Sequence, residues 1–169
     1  FNTFNNMPGT VTLGSDYTGV VRCSPSGGGL YPITLYFVAF NVKGLEKGIY
    51  TYLPLTQSIR LIRRLSDADL EEYDRISTFG INIDNKTLGI AVYYVYSLYD
   101  NSRKYGDMAM QFSYIEAGEI AENIQLTATG LDLAATDIGG YEKGPTESFL
   151  GIDGLTKHVV HLTLIGTVK

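Results

Sequence analysis

"YGDMAMQFSYIEAGEIAENIQLTATG", Tyr105–Gly130, is the longest periodic segment of the 169-residue chain, and it decides the fold class. The segment contains no proline, and a glycine such as Gly130 is typical of the end of a helix. Apolar residues lie nearly all the way round this predicted helix. They are Met108, Phe112, Ile115, Ala117, Ile120, Ala121, Ile124 and Ala128. The sequence therefore predicts a long helix that is buried on most sides, by its own domain or by a partner.

Segments rich in β-branched and aromatic residues flank the helix and are typical of strands. Ile33–Val42 and Gly48–Leu53 are separated by a short turn, so we expect them to form a hairpin. Thr87–Tyr99 carries apolar residues on both faces, and we therefore expect it in the centre of the sheet. After the long helix we expect a short strand that enters a Gly-Gly turn, a brief helix and a final strand.

A short helix is predicted after Ser66, because Asp69 three residues later completes a capping-box pattern. Strands and helices are thus mixed along the chain, with one hairpin and one long buried helix. This order predicts an α+β fold in which a mixed, mainly antiparallel sheet packs against the long helix.

The composition is that of a soluble globular domain, because 44% of the residues are hydrophobic and 18% are charged. The net charge of −5 argues against nucleic acid as a main partner, since phosphate binding requires a basic face. The basic cluster of Arg60, Arg63 and Arg64 is too small to change this conclusion. Apolar runs are too short to span a bilayer, so no membrane partner is expected.

Cys23 is the single cysteine, which excludes an intrachain disulfide and fits a reducing, cytoplasmic location. No signal segment is visible at the N-terminus. Residues 1–20 show no periodicity, and we expect them to form an extended arm before a domain of residues 21–169. Because the chain starts without methionine, we expect an N-terminal part to be missing from it.

The sequence predicts no metal site. His158 and His161 lie three apart in the predicted final strand, and such residues of a regular strand point to opposite faces. Glu116, Glu119 and Glu122 share a helical stripe but lack the Glu-x-x-His spacing of carboxylate-bridged metal pairs.

Covalent catalysis is not indicated either, because the chain has no G-x-S-x-G motif. Cys23 is expected to be a small buried side chain rather than a nucleophile. A cluster of tyrosines is predicted to serve packing in the core and at an interface, since a base-stacking platform requires a basic groove. These tyrosines are Tyr93, Tyr94, Tyr96 and Tyr99.

"RCSPSGGGLYP", Arg22–Pro32, places three consecutive glycines beside the first buried strand, and we name it the glycine loop. It matches neither the P-loop nor the dinucleotide-binding pattern. Two interpretations remain: a plain turn, or a backbone that must lie flat against something large.

Lys104 and Tyr105, which we name the Lys-Tyr pair, lie between the central strand and the long helix. Adjacent lysine and tyrosine can transfer a proton, because burial lowers the pKa of an amine towards neutrality. The alternative is a solvated lysine beside a packing tyrosine.

Taken in order, these segments resemble the SagB-type dehydrogenases, FMN-dependent members of the nitroreductase superfamily. The glycine loop and hairpin resemble that family's R-x-x-P-S-x-G-x-x-Y-P segment and the "GlepGlY-Y" hairpin that follows it. "KYGDMAMQFSYIEAGEIAENIQLTATGLDLAATDIGGY" resembles its helix and Gly-Gly turn, and "FLGIDGLTKHVVHLTLIG" resembles its closing strand. The resemblance covers Arg22 to Gly166.

The resemblance implies a flavin-binding fold, built as a homodimer with FMN at the subunit interface. Backbone that lacks a Cβ can approach the flat flavin ring, which would explain the glycines. The implied cofactor-binding residues are Arg22, Pro25, Ser26, Gly27, Gly139, Gly140 and Lys169.

The resemblance also implies a reaction. Lys104 and Tyr105 match a pair that removes a proton from a thiazoline or oxazoline ring, while flavin N5 accepts the hydride. The substrate would be a ribosomally made peptide or another small molecule, and a cyclodehydratase would be a partner. A nitro- or quinone-reductase that uses NAD(P)H remains an alternative, because it needs FMN but not the Lys-Tyr pair.

A third hypothesis, a flavin-free scaffold subunit, follows from departures from the family pattern. The family's first helix, which supplies basic residues to the FMN phosphate, is not in this chain. Met108 stands where the family often has arginine, Met110-Gln111 replaces Tyr-Arg, and Glu119 replaces histidine. Each change removes positive charge that could meet phosphate.

Overall fold

The computed structural model describes residues 9–12, 18–77 and 87–167. Their strands are β1 (Gly9–Thr12), β2 (Thr18–Val21), β3 (Ile33–Ala39), β4 (Gly48–Leu53), β5 (Ser58–Arg64), β6 (Leu88–Ser97), β7 (Leu133–Asp137) and β8 (Lys157–Thr167). Their α-helices are α1 (Asp67–Ile76), α2 (Leu98–Tyr105), α3 (Ala109–Gly130) and α4 (Lys143–Leu150). Short 3-10 turns at Gly27–Gly29 and Gly106–Met108 precede β3 and α3.

The main sheet has six strands in the order β5-β4-β3-β6-β8-β7. Each neighbouring pair is antiparallel, so the α+β prediction is confirmed, while the sheet is antiparallel throughout rather than mixed. The predicted central strand, β6, lies between β3 and β8 in this order. Parallel pairing would require long crossover connections, and the β3–β4 and β4–β5 connections are short.

Helices cover both faces of the sheet. On one face, α3 packs the small and branched side chains Ala117, Ile120, Ala121, Ile124 and Ala128 against β3 and β6. On the other face, Tyr73 of α1 and Phe149 and Leu150 of α4 pack against β6 and β8. β3 and β6 are therefore buried on both sides, which accounts for their nearly continuous apolar sequence.

Several predicted elements are found where the sequence indicated them. The strand Gly48–Leu53 is confirmed to the residue, and the capping box of α1 forms with both reciprocal hydrogen bonds between Ser66 and Asp69. The strand predicted as Ile33–Val42 is β3, and it ends at Ala39. The predicted strand Thr87–Tyr99 is divided between β6 and the start of α2.

The long helix starts later than predicted and is less buried. Gly106 has a φ of 52° and interrupts the helical path, so the Lys-Tyr pair ends α2 instead of starting α3. Met108 is 46% exposed and Ile115 is 52% exposed, which contradicts burial on most sides within this chain. The outer face of α3 therefore carries apolar side chains that this chain does not cover.

The two histidines of β8 lie on one face, contrary to the prediction. Tyr94 pairs with His161 and Tyr96 pairs with His158, because a register shift inserts one extra residue into β8. Tyr94 and Tyr96 are two apart and share a face, so their partners share it as well. The described residues nevertheless contain no group of three His, Cys, Asp or Glu side chains placed to hold a metal ion.

Part of the predicted N-terminal arm is described. β1 and β2 pair antiparallel, with Gly9 opposite Val21 and Thr12 opposite Thr18. Residues 1–8 and 13–17 of the arm lie outside the described residues. Among the described helices, none is both long and apolar enough to cross a membrane.

Candidate functional site

The glycine loop turns sharply just before β3. Gly28, Gly29 and Tyr31 have φ angles of 64°, 66° and 51°, all in the left-handed region. Glycine adopts this region freely, whereas a tyrosine does so at a cost of roughly 1–2 kcal/mol. Such a conformation persists only where neighbouring contacts hold it.

Ser26 joins the glycine loop to helix α3. Its hydroxyl donates a hydrogen bond to Oε2 of Glu116 at 2.5 Å and accepts one from the backbone N–H of Tyr31 at 2.8 Å. The other carboxylate oxygen of Glu116 accepts a hydrogen bond from the N–H of Ile33 at 3.4 Å. One buried side chain of α3 thus anchors both the loop and the first residue of β3.

Glu116 is 2% exposed, which is unusual for a carboxylate. Burial raises the pKa of its carboxyl group to about 7, and Glu119 contributes in the same direction. The hydrogen bonds from Ser26 and Ile33 and the positive charge of Arg22 act in the opposite direction. The carboxyl group therefore changes its charge near neutral pH.

Arg22 and Tyr31 close the two ends of the glycine loop. The backbone N–H of Arg22 donates to the Tyr31 hydroxyl at 2.7 Å, and the guanidinium lies 4.2 Å from the centre of the Tyr31 ring. Burial lowers the pKa of Arg22, while Tyr31 and Glu116 oppose this effect. These contacts hold Tyr31 in its left-handed conformation.

The Lys-Tyr pair lies at the C-terminal end of α2, where Lys104 is exposed and Tyr105 is half-buried. The amine of Lys104 is 5.3 Å from the centre of the Tyr105 ring, which in turn meets the Phe112 ring edge-on at 4.8 Å. Asn101, in the first half of α2, joins this helix to β6 and α3, because its buried amide accepts a hydrogen bond from the Tyr96 hydroxyl and donates one to the carbonyl of Ala109.

Gly28 brings the glycine loop and the Lys-Tyr pair together. A Cβ built at Gly28 would lie 2.2 Å from the hydroxyl oxygen of Tyr105 and 2.5 Å from the Nζ of Lys104. Any side chain would therefore displace both groups. The loop glycine thus makes a close approach, although the groups that it meets belong to this chain.

The Gly139-Gly140 turn follows β7 and is exposed. Asp137, the last residue of β7 and two residues before Gly139, accepts hydrogen bonds from Gln125 at 2.5 Å and Thr163 at 2.6 Å, and His161 lies 3.2 Å away. These contacts fix the end of β7 on α3 and β8. A Cβ built at Gly139 would meet no heavy atom of the described residues within 4 Å, so the space beside this turn is open.

The two glycine turns lie at the same end of the sheet. β8 runs parallel to β3, since both pair antiparallel with β6, and β7 runs opposite to them. The end of β7 therefore faces the same way as the start of β3. The two strands are three spacings apart in the sheet order, which is about 14 Å.

These features fit the ring of a flavin. Pro25 and Gly27 are exposed, and Gly139 leaves open space where a planar ring could contact the backbone. The Ser26 hydroxyl, in contrast, is engaged with Glu116 and Tyr31, so only its backbone is available to a cofactor. Lys169, the last predicted cofactor residue, lies outside the described residues.

Cys23 is exposed, which contradicts the expected buried side chain, because it lies near the start of the glycine loop and not in a core strand. Tyr93, Tyr94 and Tyr96 are fully buried as predicted, whereas Tyr99 is 65% exposed on α2.

Glu116 and Phe112 are site residues that the sequence analysis did not identify. The sequence pattern places Glu116 in a carboxylate stripe with Glu119 and Glu122, which suggests only a metal ligand. Its position in the helix could have indicated this role. Glu116 follows Ser113 by three residues and precedes Ile120 by four, so it lies on the buried face of α3. A carboxylate in that register needs partners within the protein.

Comparison with known proteins agrees with this architecture. A protein of Methanocaldococcus jannaschii that carries a provisional nitroreductase name is 31% identical over 130 residues, which are 76% of this chain and 63% of that protein. The chain therefore spans less than two thirds of the length of this relative.

Two solved structures share the fold. A protein from Anabaena variabilis with a provisional nitroreductase name matches 96% of this chain and 32% of its own, with TM-score 0.82 and 23% identity. A chain of the Escherichia coli microcin synthetase McbBCD complex with truncated pro-MccB17 bound matches 99% of this chain and 60% of its own, with TM-score 0.79 and 22% identity.

A model of the nitroreductase family matches residues 19–167, which include the glycine loop, the Lys-Tyr pair and the Gly139-Gly140 turn. The match, the antiparallel sheet and the two glycine turns at one end of it lead to the same conclusion. The chain belongs to the nitroreductase family.

Proposed function

We propose that the chain is an FMN-dependent oxidoreductase of the SagB type, which oxidises azoline rings of a ribosomally made peptide to azoles. The observation that carries this proposal is the meeting of the Lys104 amine and the Tyr105 hydroxyl at Gly28 of the glycine loop. An amine and a phenol that converge on one exposed loop are suited to proton transfer.

The reaction removes two electrons and two hydrogens from the azoline ring. One hydrogen leaves as a proton, which the Lys-Tyr pair accepts, and the other leaves as a hydride that carries both electrons. FMN, when bound, supplies the hydride acceptor. An electron acceptor outside the chain, such as dioxygen, then takes the two electrons and completes the turnover.

Residues of this chain would hold the cofactor. The backbone of Pro25–Gly27 and the Gly139-Gly140 turn would contact the ring, because neither turn presents a bulky side chain. Arg22 and Lys169 would supply positive charge. The departures at Met108, Gln111 and Glu119 imply that further charge for the phosphate comes from a region or chain beyond these residues.

A second copy of the chain is part of the proposal. The outer face of α3 exposes Tyr114, Ile115 and Leu126 by 56%, 52% and 62%. Apolar residues on one helix face are typical of an interface. A homodimer along α3 would cover them, and it would provide a second pair of glycine turns for a shared flavin site.

The likeness to the McbBCD complex, whose solved structure holds truncated pro-MccB17, supports a peptide substrate and a synthetase partner. The cyclodehydratase that forms the azoline is the chemical class of that partner. Its product is the substrate of the reaction proposed here. We expect both proteins in the cytoplasm.

The proposal is tested with a synthetic peptide that carries one thiazoline ring and with protein loaded with FMN. Loss of two hydrogens, measured by mass spectrometry, is the expected result. Lys104→Ala should abolish this loss, whereas Lys47→Ala, an exposed lysine at the opposite end of the sheet, should leave it unchanged. Equal turnover of both variants would remove the assigned proton acceptor.

The two alternatives give different results in the same assay. A reductase would oxidise NAD(P)H in the presence of a nitroarene and leave the thiazoline intact. A scaffold subunit would do neither and would be isolated colourless. Either result would overturn the proposed azoline oxidation.

A further inference from the structure

The glycine loop requires a physical restraint. Three residues within four positions, Gly28, Gly29 and Tyr31, have left-handed φ angles. A free loop of this composition would sample many conformations, because glycine loses more conformational freedom on folding than any other residue. Something must select the one conformation in which Gly28 touches the Lys-Tyr pair.

Helix α3 supplies this restraint through Glu116. Glu116 of α3 accepts the Ser26 hydroxyl hydrogen bond at 2.5 Å and the Ile33 N–H at 3.4 Å. Ser26 passes the restraint on, since its oxygen accepts the N–H of Tyr31 at 2.8 Å. The chain of contacts therefore runs from Glu116 through Ser26 to the last left-handed residue of the loop.

A buried carboxylate at this position lowers the stability of the fold unless its oxygens are hydrogen-bonded. An apolar side chain would suit the inner face of α3, where Ala117 and Ile120 are its neighbours, and would avoid the desolvation of a charge. A carboxylate is, however, the side chain that offers acceptors only, and it satisfies a hydroxyl and an amide donor at once. The position is therefore better explained by the geometry that it imposes than by stability.

We infer that Glu116 is a positioning residue: through Ser26, its carboxyl group fixes the glycine loop against the Lys-Tyr pair. Its carboxylate oxygens accept hydrogen bonds from Ser26 and Ile33 rather than from the Lys-Tyr pair, so it acts through the loop. The inference rests on the proposed function for its effect on turnover, but the restraint itself is a property of the protein without substrate or cofactor.

The restraint is tested first by amide hydrogen exchange of the cofactor-free protein. In Glu116→Ala we expect the Tyr31 amide to exchange at least about ten times faster, although this amide bonds Ser26 and not Glu116. Amides of the central strand β6 should keep their protection, which separates loop release from global unfolding. Unchanged exchange at Tyr31 would overturn the inference.

Matched variants sharpen this measurement. Glu72→Ala removes an exposed carboxylate from α1, on the opposite face of the sheet, and should leave Tyr31 unchanged. Ser26→Ala should accelerate exchange at Tyr31 as Glu116→Ala does. The double variant should be no faster than either single one, because both act on one chain of contacts. Additive effects would show that Glu116 and Ser26 act separately.

Turnover of the thiazoline peptide by the FMN-loaded protein provides the second readout. If Glu116 positions the pair, Glu116→Gln should lower kcat by about tenfold or more and change KM little, since misplacement of reacting groups affects the chemical step. Glutamine offers one acceptor oxygen where the carboxylate offers two, so this variant keeps the volume and loses one bond. An equal kcat would overturn the positioning role.

The two readouts separate this inference from the proposed function. If the natural chain does not oxidise the thiazoline peptide, the proposed function fails, and hydrogen exchange still decides whether Glu116 restrains the loop. If the chain oxidises the peptide and Tyr31 exchange is unaffected by Glu116→Ala, only the inference fails.

Discussion

At Gly28, the space that a Cβ would occupy is taken by the hydroxyl of Tyr105 and the amine of Lys104. The φ of 64° at this residue already favours glycine, but Gly29 has nearly the same φ of 66° and lies beside open space in the described structure. Both glycines therefore have a backbone conformation that disfavours a side chain, but only Gly28 also lacks the space for one. The chain provides its own control for the role of the missing side chain.

Replacing each glycine by alanine tests this distinction. We expect Gly28→Ala and Gly29→Ala to lose similar stability, roughly 1–2 kcal/mol each, because both place a side chain in the left-handed region. Only Gly28→Ala should displace the Lys-Tyr pair and lower thiazoline turnover, by about tenfold or more. Urea unfolding and turnover measure the two effects. Equal turnover of both variants would contradict a role for this contact.

The raised pKa of Glu116 makes the free energy of unfolding depend on pH. Burial raises the pKa of its carboxyl group from 4.5 to about 7 in the folded chain, so the folded state holds the proton more tightly than the unfolded state. Its contribution to stability is therefore fully present below about pH 4.5 and is lost as the pH rises to about 7. The loss amounts to at most roughly 4 kcal/mol, because each pKa unit between 4.5 and about 7 corresponds to about 1.4 kcal/mol.

Urea unfolding at intervals between pH 4 and 8 measures this effect. The natural chain should lose stability across this range relative to Glu116→Gln, in which the titrating group is absent. Glu72→Gln, which removes an exposed carboxylate, should follow the natural chain. Arg22 and Glu119 face the same carboxyl group with opposite effects, and both remain in the Glu116→Gln variant. Parallel curves for the natural chain and Glu116→Gln would contradict the assignment.

At the scale of elements, the sequence predicted those whose signals are local. Gly48–Leu53 lies between a turn glycine and Pro54, and α1 starts at a capping box, so both could be located from neighbouring residues. β5 was missed because all seven of its residues are exposed and charged residues interrupt its apolar ones. α2 was missed because its short polar sequence reads as a loop.

The candidate site was only partly predictable, because most of its contacts join residues that are distant in the sequence and leave no local signal. Lys104 and Tyr105 are adjacent in the sequence, but their contact with Gly28 joins distant segments and depends on how α2 ends beside the loop. The bond from Ser26 to Glu116 spans 90 residues. The extra residue in β8 that places both histidines on one face has no local sequence signal.

Helix α3 predicts how two copies of the chain associate. Ile115, Gly118, Glu122 and Leu126 follow one stripe of its outer face, and Gly118 presents no side chain there. We expect sedimentation to show a dimer of the natural chain. Ile115→Glu combined with Leu126→Glu should yield monomers, because burying two unpaired charges in the interface is costly.

The control for this experiment is Leu155→Glu, which changes a leucine that is 75% exposed in the loop before β8. It should leave the dimer intact. A monomeric natural chain, or an equal effect of Leu155→Glu, would contradict an interface along α3.

At the scale of the whole molecule, two turns without bulky side chains lie at one end of an antiparallel sheet, and strands β6 and β8 lie between the strands that carry them. Helix α3 fixes the glycine loop through Glu116. It fixes the Gly139-Gly140 turn through the hydrogen bond from Gln125 to Asp137. One helix thus sets both halves of the proposed flavin site. This arrangement explains why the longest periodic segment decides both the fold and the site.

Titration with FMN, followed by flavin fluorescence and thermal unfolding, tests the central claim most directly. The natural chain should bind FMN and gain about 2.7 kcal/mol of stability at a concentration one hundred times Kd. Gly139→Val, whose side chain would enter the open space beside the turn, should fold as stably without FMN and bind FMN at least about ten times more weakly. No gain in stability for the natural chain, or equal binding by Gly139→Val, would contradict the account.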